Sequence, residues 1–347
     1  MSNRTLGITV ASAAALCLAF ALVALFNYLR DNKLSDFEVS KELYVYPGTP
    51  AAQIVDSLLS GGGVRWPSRL GKVFERHEVD TYCKPGHYVI DPGATAVYAA
   101  RMLNNGWQTP VRLTLSGTLR RRGEIARKIS NQMMVDSSSV RAAFEDEELL
   151  SEFGFTPETV FALLVPDTYE MYWTASVRDI FVRQFEAYER FWTADNIEKA
   201  RKLGLSQMEV SVLASIVKGE TNHEPEMPRI AGVYLNRLRK GMKLQADPTV
   251  AFCYDYNVSR IYKYMLSFDS PYNTYKHAGL PPSPIYVPTR AALEAVLNPD
   301  YGGGNLFFCA DPSFNGTHRF AKTYSEHLKN ARAFSRALDQ RKKSKTF

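Results

Sequence analysis

The chain has 347 residues, of which 45% are apolar and 22% charged, with 21 Gly and 18 Pro. This composition excludes a disordered protein, and the length fits two domains or one large domain with an appendage. The net charge of +6 suits an anionic partner but is too small for a strong nucleic-acid binder, and none is expected. Four Cys exclude a disulfide scaffold, and no internal repeat, CxxC or HExxH occurs, which argues against a solenoid, a zinc ribbon or a zincin.

Residues 6–29 contain no charged side chain, with Arg4 before them and Arg30, Asp31 and Lys33 after. Such a run is long enough to cross a bilayer as a helix. A cleaved signal peptide is the alternative. Its apolar region is normally shorter, and no small-x-small cleavage site follows Phe26, so a retained anchor is expected. The flanking charges are too few to fix the orientation. A tail of residues 1–5 is most easily left in the cytoplasm, which places Cys83, Cys253 and Cys309 outside. That odd number allows at most one bridge.

Residues 30–39 read as a polar linker. From residue 40 to 115 the pattern is that of a small α+β module. FEVSKELYVYPG alternates like a half-buried strand ending in a Pro-Gly turn. Residues 49–59 read as a helix capped by Thr49. SGGG (60–63) ends it, and is a flexible turn rather than a phosphate loop because no GK[ST] follows. A second helix, a PGHYVI strand, a helix over 94–104 and a strand over 112–115 complete the module. Residues 116–347 form a larger unit. Arg120, Arg121 and Arg122 near its start either reach an anionic polymer or mark a solvated helix start. Helical patterns run to about Leu205, interrupted at 163–173 (LLVPDTYEMYW) by what reads as an aromatic loop. The terminal RKKSKTF reads as a frayed end.

The chemistry concentrates in residues 206–250. Ser206 and Glu209 form a capping box that opens a helix reading VSVLASIVKGET. Leu213, Ile216, Val217 and Glu220 share a face, so Glu220 lies on the apolar stripe at the carboxyl end. Partial desolvation and the negative end of the helix dipole both raise its pKa, as a general acid at a glycosidic oxygen requires. Alternatively, the side chain swings past the last turn into water. A second helix over about 226–240 has Ile230, Val233, Tyr234 and Leu238 on its core stripe and Arg237 at the edge. Gln245 and Asp247 follow in a Pro-containing loop, aimed at a ligand or serving as an Asx-capped turn. Residues 270–285 (SPYNTYKHAGLPPSPI) combine Tyr272, Asn273, Thr274 and Tyr275 with a rigid Gly-Leu-Pro-Pro turn. Rings beside amides and hydroxyls suit sugars, though a plain surface loop has the same composition.

In chain order, LVPDTY, LASIVKGET, VYLNRL, GMKLQADPTV, SPYNTY, HAGLPPSPI and GTHRFAKTYSEH resemble the endolytic murein transglycosylase family of the MltG (YceG-like) type over residues 40–335. The resemblance implies an α+β protein with a transmembrane helix, a LysM-like module at 40–115 and a catalytic domain at 116–347. It also implies a single-pass protein of the bacterial inner membrane with the catalytic domain outside the cytoplasm. The expected partners are peptidoglycan glycan strands and proteins of wall synthesis or division, and no metal or organic cofactor is needed.

By the same resemblance Glu220 is the catalytic acid. Many members carry two Glu in this helix end; here Lys218 stands at the first, on a different face from Glu220. Glu226 matches another acidic position and is expected to orient the region of Arg237. Asn236, Arg237, Gln245, Asp247, Tyr272, Asn273 and Thr274 are the expected sugar-holding residues. His223 and Glu224 read as exposed loop residues, and His318 and His327 as hydrogen-bonded structural histidines. The implied reaction cuts the MurNAc-β-1,4-GlcNAc bond within nascent strands and leaves 1,6-anhydro ends. A hydrolytic muramidase on the same fold and an idle glycan-binding scaffold are the alternatives.

Overall fold

The fold is described from a computed structural model, over residues 3–344 of the backbone and residues 12–341 of the side chains. Residues 1, 2 and 345–347, which belong to the expected cytoplasmic tail and frayed end, lie outside the described residues. The protein is a mixed α+β chain in two compact units, one comprising residues 1–112 and 170–174, the other 113–169 and 175–347.

The first unit begins with α1 (Asn3–Asn32). Its segment Ser12–Asn32 is long and apolar enough to cross a membrane, and the apolar 18-residue stretch within it is not buried inside the protein. The expected linker at 30–39 differs from what is found. The helix continues to Asn32, and Asp31 is buried in an ion network with Arg30, Arg69 and Arg76 at 3.1–3.2 Å. Phe37 is fully buried beyond it.

Next come β1 (Lys41–Val45), α2 (Ala51–Leu59), α3 (Pro67–Arg76), α4 (Val79–Tyr82), β2 (Gly86–Ile90) and α5 (Ala96–Asn105). β1 pairs antiparallel with β2, Lys41 opposite Ile90 and Val45 opposite Gly86. The alternation in β1 turns Leu43 and Val45 inward against Ile54, Leu58 and Leu70. Thr49 does not cap α2. Its hydroxyl closes a turn on the Tyr46 carbonyl at 2.9 Å, and Pro50, whose fixed φ suits a helix entry, takes the cap position. In the SGGG turn all three glycines are left-handed, a conformation that side-chain-bearing residues avoid.

β3 (Val111–Thr114) carries the chain across the unit boundary. The second unit continues with α6 (Arg122–Ser130), α7 (Ser137–Ala143) and α8 (Glu147–Ser151). The segment expected as an aromatic loop contains β4 (Thr168–Met171), because Tyr169 turns inward, where it is buried and its hydroxyl meets the Val165 carbonyl. α9 (Val177–Phe191) and α10 (Ala194–Leu203) lead to α11 (Gln207–Glu220), and α12 (Met227–Arg239), α13 (Asp247–Cys253) and α14 (Arg290–Leu297) follow. A hairpin of β5 (Phe307–Ala310) and β6 (His318–Ala321) precedes α15 (Tyr324–Ser344), which extends helix into the segment expected to fray. α11, α12 and α14 bury Leu213, Ile216, Val217, Ile230, Tyr234 and Val296 in one core.

Candidate active site

α11 begins where the sequence places it. The Ser206 hydroxyl accepts from the Glu209 amide at 3.2 Å, and the Glu209 carboxylate accepts from the Ser206 amide at 2.8 Å. From that start 14 residues bring Glu220 to the last helical position, half-buried on the core side. Gly219 allows the close approach there. A Cβ on it would lie 2.7 Å from Pro248 Cβ and 2.9 Å from Tyr286 Cε2, so only glycine lets the end of α11 close on α13. Lys218 turns away and donates to Asn222 Oδ1 at 2.6 Å, while His223 and Glu224 are exposed.

Glu220 is held by a residue that periodicity assigns only to the core. The Tyr234 hydroxyl, on α12, donates to Glu220 Oε1 at 2.5 Å. Tyr234 is 1% exposed, and its ring edge packs on Phe308. The available signal was the polar tip of a tyrosine on a fully apolar stripe, which must find a partner when buried. Burial raises the pKa of Glu220 from 4.5 to about 7, against the lowering effect of the Tyr234 bond; Asp247 adds to the rise and Arg237 opposes it. The Tyr234 hydroxyl is itself pushed up, first by burial and then by Glu220.

Arg237 is buried rather than at the helix edge. Its guanidinium donates to the carbonyls of Leu306 at 2.7 Å and Leu244 at 2.6 Å and lies over the Phe307 ring. It therefore joins the β5 strand to the loop after α12 while keeping a positive charge near Glu220. Asn236 is similarly engaged, donating to the Asn305 carbonyl at 3.0 Å.

The SPYNTY segment builds the opposite wall. Asn273, fully buried, donates to the Leu266 and Phe268 carbonyls and accepts from the Tyr275 amide. Thr274, also buried, accepts from the Ala246 amide at 3.0 Å and meets the Thr249 hydroxyl at 2.9 Å. With these polar groups taken up by the protein, the two residues shape the Gln245–Asp247 turn from behind. Tyr275 then donates to Asp247 Oδ1 at 2.6 Å, and its own pKa is raised by burial and by that carboxylate. Gln245 is exposed and has a φ of 52°, a left-handed conformation that costs a non-glycine residue about 1–3 kcal/mol. Tyr272 lies elsewhere. Its ring packs on Phe252, its hydroxyl meets Ser283 at 2.6 Å, and it faces a different pocket.

Glu226 reaches His318, not the Arg237 region. Its carboxylate accepts from the His318 amide at 2.8 Å and lies 3.0 Å from Nδ1. The reason is its place in the short turn before α12, beside the β5–β6 hairpin. A carboxylate only accepts, so Nδ1 is the donating nitrogen of this pair and Nε2 is left without a hydrogen-bond partner among the described residues. His327 stacks on Phe307, and its Nδ1 is buried without a hydrogen-bond partner among the described residues. Burial and Arg237 lower its pKa.

These groups meet around a cavity of about 370 Å³ lined by Glu220, Tyr234, Gln245, Asp247, Tyr275 and His318, among others. A second cavity of about 680 Å³ runs from Thr221 and Asn222 to Phe314. Glu220, Ala310 and His318 line both cavities, so the acid stands between two open spaces. Among the described residues no three His, Cys, Asp or Glu side chains are grouped to hold a metal ion.

The model of the YceG-like family matches residues 43–333. The endolytic murein transglycosylase of Bacillus subtilis (strain 168) is 32% identical over 224 residues, 59% of this chain and 60% of that protein. The one from Streptococcus pneumoniae serotype 2 (strain D39) is 22% identical over 338 residues, 88% of this chain and 61% of that protein. The chain thus spans about three-fifths of the length of the curated relatives it matches. A crystal structure of a yceG-like protein from Listeria monocytogenes superposes with a TM-score of 0.57 at 26% identity, covering 84% of this chain and 98% of that one.

Proposed function

This chain belongs to the YceG-like family, and on that premise we propose that it is a membrane-anchored endolytic murein transglycosylase with Glu220 as its recycled acid and base. The observation that carries the reading is a half-buried carboxylic acid, titrating near neutrality, that lines two cavities at once. A polymer can lie through such a cleft with chain extending on both sides of the acid, as cutting within a strand requires.

In the proposed reaction Glu220 donates its proton to the glycosidic oxygen as the bond from MurNAc C1 to that oxygen breaks. The resulting carboxylate takes the proton of the MurNAc C6 hydroxyl, and that oxygen bonds to C1 to close a 1,6-anhydro ring. Protons balance, and Glu220 ends protonated. Since the nucleophile belongs to the substrate, no second protein carboxylate is needed. Tyr234 fixes the acid's orientation, and Gln245, His318 and His327 are the groups with polar atoms left for sugar. Asn236, Asn273 and Thr274 support the walls in this scheme, and Arg237 tempers the charge that develops on Glu220. We read α1 as a single-pass anchor in the inner membrane with the chain after it outside the cytoplasm, near nascent strands and the proteins that make them. The LysM-like reading of 40–115 belongs to this proposal, supported by an antiparallel strand pair flanking short helices.

Asp247 supports a second reading, a hydrolytic muramidase, because it lines the Glu220 cavity and raises the acid's pKa. Mass spectrometry of purified glycan digested by the full chain in detergent separates the two. Anhydro ends are expected; reducing ends would establish the hydrolase. Loss of all cleavage in Glu220→Gln is expected in either case, and retained cleavage by that variant would overturn the assignment.

A further inference from the structure

A separate pocket of about 540 Å³ lies in the second unit, away from Glu220. It is lined by five arginines and four carboxylates, a mixed surface of small net positive charge, over an apolar floor that includes Phe161, Phe252 and Tyr272. Two of the arginines are occupied. Arg121 donates to the Asp255 carbonyl and Asn257, and pairs with Glu124 at 3.2 Å. Arg122 pairs with Glu145 and donates to the Pro157 carbonyl. The other three have no carboxylate partner among the described residues. Arg120 lies 4.9 Å over the Tyr256 ring. Arg127, on α6, and Arg141, on α7, are exposed and make no side-chain hydrogen bond or ion pair among the described residues.

We propose that this pocket binds the short peptides carried by the MurNAc residues of the glycan; the proposal rests on the murein reading of the Glu220 site. Murein peptides combine free carboxylates, an ammonium group on a diamino residue and alanine methyls. The pocket offers a partner for each: the guanidinium groups of Arg127 and Arg141 for carboxylates, the exposed carboxylates of Glu158 and Asp255 for the ammonium group, and aromatic surface for methyls. The exposed carboxylates of Glu158 and Asp255, outside the close Arg121–Glu124 and Arg122–Glu145 pairs, disfavour a concentrated phosphate dianion, which makes pyrophosphate or an anionic lipid surface the poorer fit. The distance is also suitable. α13 begins with Asp247 in the Glu220 cavity and places Phe252 in this pocket. Five residues of helix span ~7.5 Å, while a tetrapeptide extends to ~13 Å. A peptide attached beside the scissile bond is therefore long enough to span from the Asp247 end of α13 in the Glu220 cavity to Phe252 in this pocket.

The test uses the full chain in detergent and the double variant Arg127→Ala/Arg141→Ala, whose removed guanidinium groups make no hydrogen bond or ion pair among the described residues. A synthetic tetrapeptide with two free carboxylates and one side-chain amine is titrated against both. Saturable binding to the parent is expected, weakened at least tenfold in the variant, about the value of one charge-assisted hydrogen bond. In parallel, glycan strands with peptides and strands stripped of them by an amidase are digested. The parent should have the lower KM for peptide-bearing strands, and the variant should handle the two polymers alike. Equal peptide affinity in parent and variant, no peptide binding, or variant-sensitive binding of inorganic pyrophosphate or anionic vesicles in its place would overturn the proposal. If neither polymer is cut, the transglycosylase reading fails while the peptide titration still decides the pocket.

Discussion

Glu220→Gln should inactivate the protein and, at alkaline pH, make it more stable than the parent. The folded-state pKa of Glu220 is raised from 4.5 to about 7, so between those values the folded chain binds more protons than the unfolded one. Stability contributed at this position is therefore present at low pH and lost as the pH rises through that window. At 1.36 kcal/mol per pH unit, the full shift amounts to about 3 kcal/mol by pH 8. Solvent screening of a half-buried group trims this to about 1–3 kcal/mol. For a unit of this size that corresponds to roughly 3–10 °C in Tm. A glutamine has nearly the shape of the protonated acid and still accepts the Tyr234 hydroxyl, so the two proteins should melt together at pH 5. The assay is calorimetry of parent and variant at pH 5 and pH 8, where the titrations of all other groups cancel in the difference. A Tm difference that is the same at both pH values, or a parent more stable than the variant at pH 8, would refute the elevated acid. The same experiment carries an activity arm, in which the variant loses about 10²–10⁴-fold in rate. In the parent, kcat/KM should fall tenfold per pH unit above about 7, as the proton needed by the leaving oxygen is lost.

Tyr234→Phe removes the hydrogen bond that favours the ionised acid, so the alkaline limb of the pH profile should move to higher pH; an unmoved limb would show that the 2.5 Å contact does not act on Glu220. Gly219→Ala puts a methyl group 2.7 Å from Pro248 Cβ and should cost about 1–3 kcal/mol in a denaturant melt. Its activity should drop by more than that melt explains, because α13 must move away from the acid. Gln245→Gly relieves the left-handed backbone at no cost to the fold, so its Tm should hold or rise while KM for glycan increases. An unchanged KM would remove Gln245 from the sugar-binding groups.

The sequence alone determined those features that depend on one stretch of chain. The apolar run of α1, the capping box at Ser206 and Glu209, the full extent of α11 and the placing of Glu220 at its inward-facing end are local, because helical period and capping chemistry operate within a few residues. The order of motifs likewise determined the family. What surrounds Glu220 depends on tertiary structure. Tyr234 is 14 residues away, and Glu226 finds His318 across 92. Asn273 and Thr274 have the composition of sugar ligands, yet burial against the 245–249 turn commits their polar groups to the protein. Arg237 falls at a helix edge by periodicity but is drawn inward, since a long side chain can carry its charge to carbonyls that only the folded β5 strand and loop provide. The three arginines in a row were legible as a charge cluster. Only packing showed that Arg121 and Arg122 pair with carboxylates while Arg120 lies over the Tyr256 ring, because a partner's identity is fixed by distance in space, not by position in the chain.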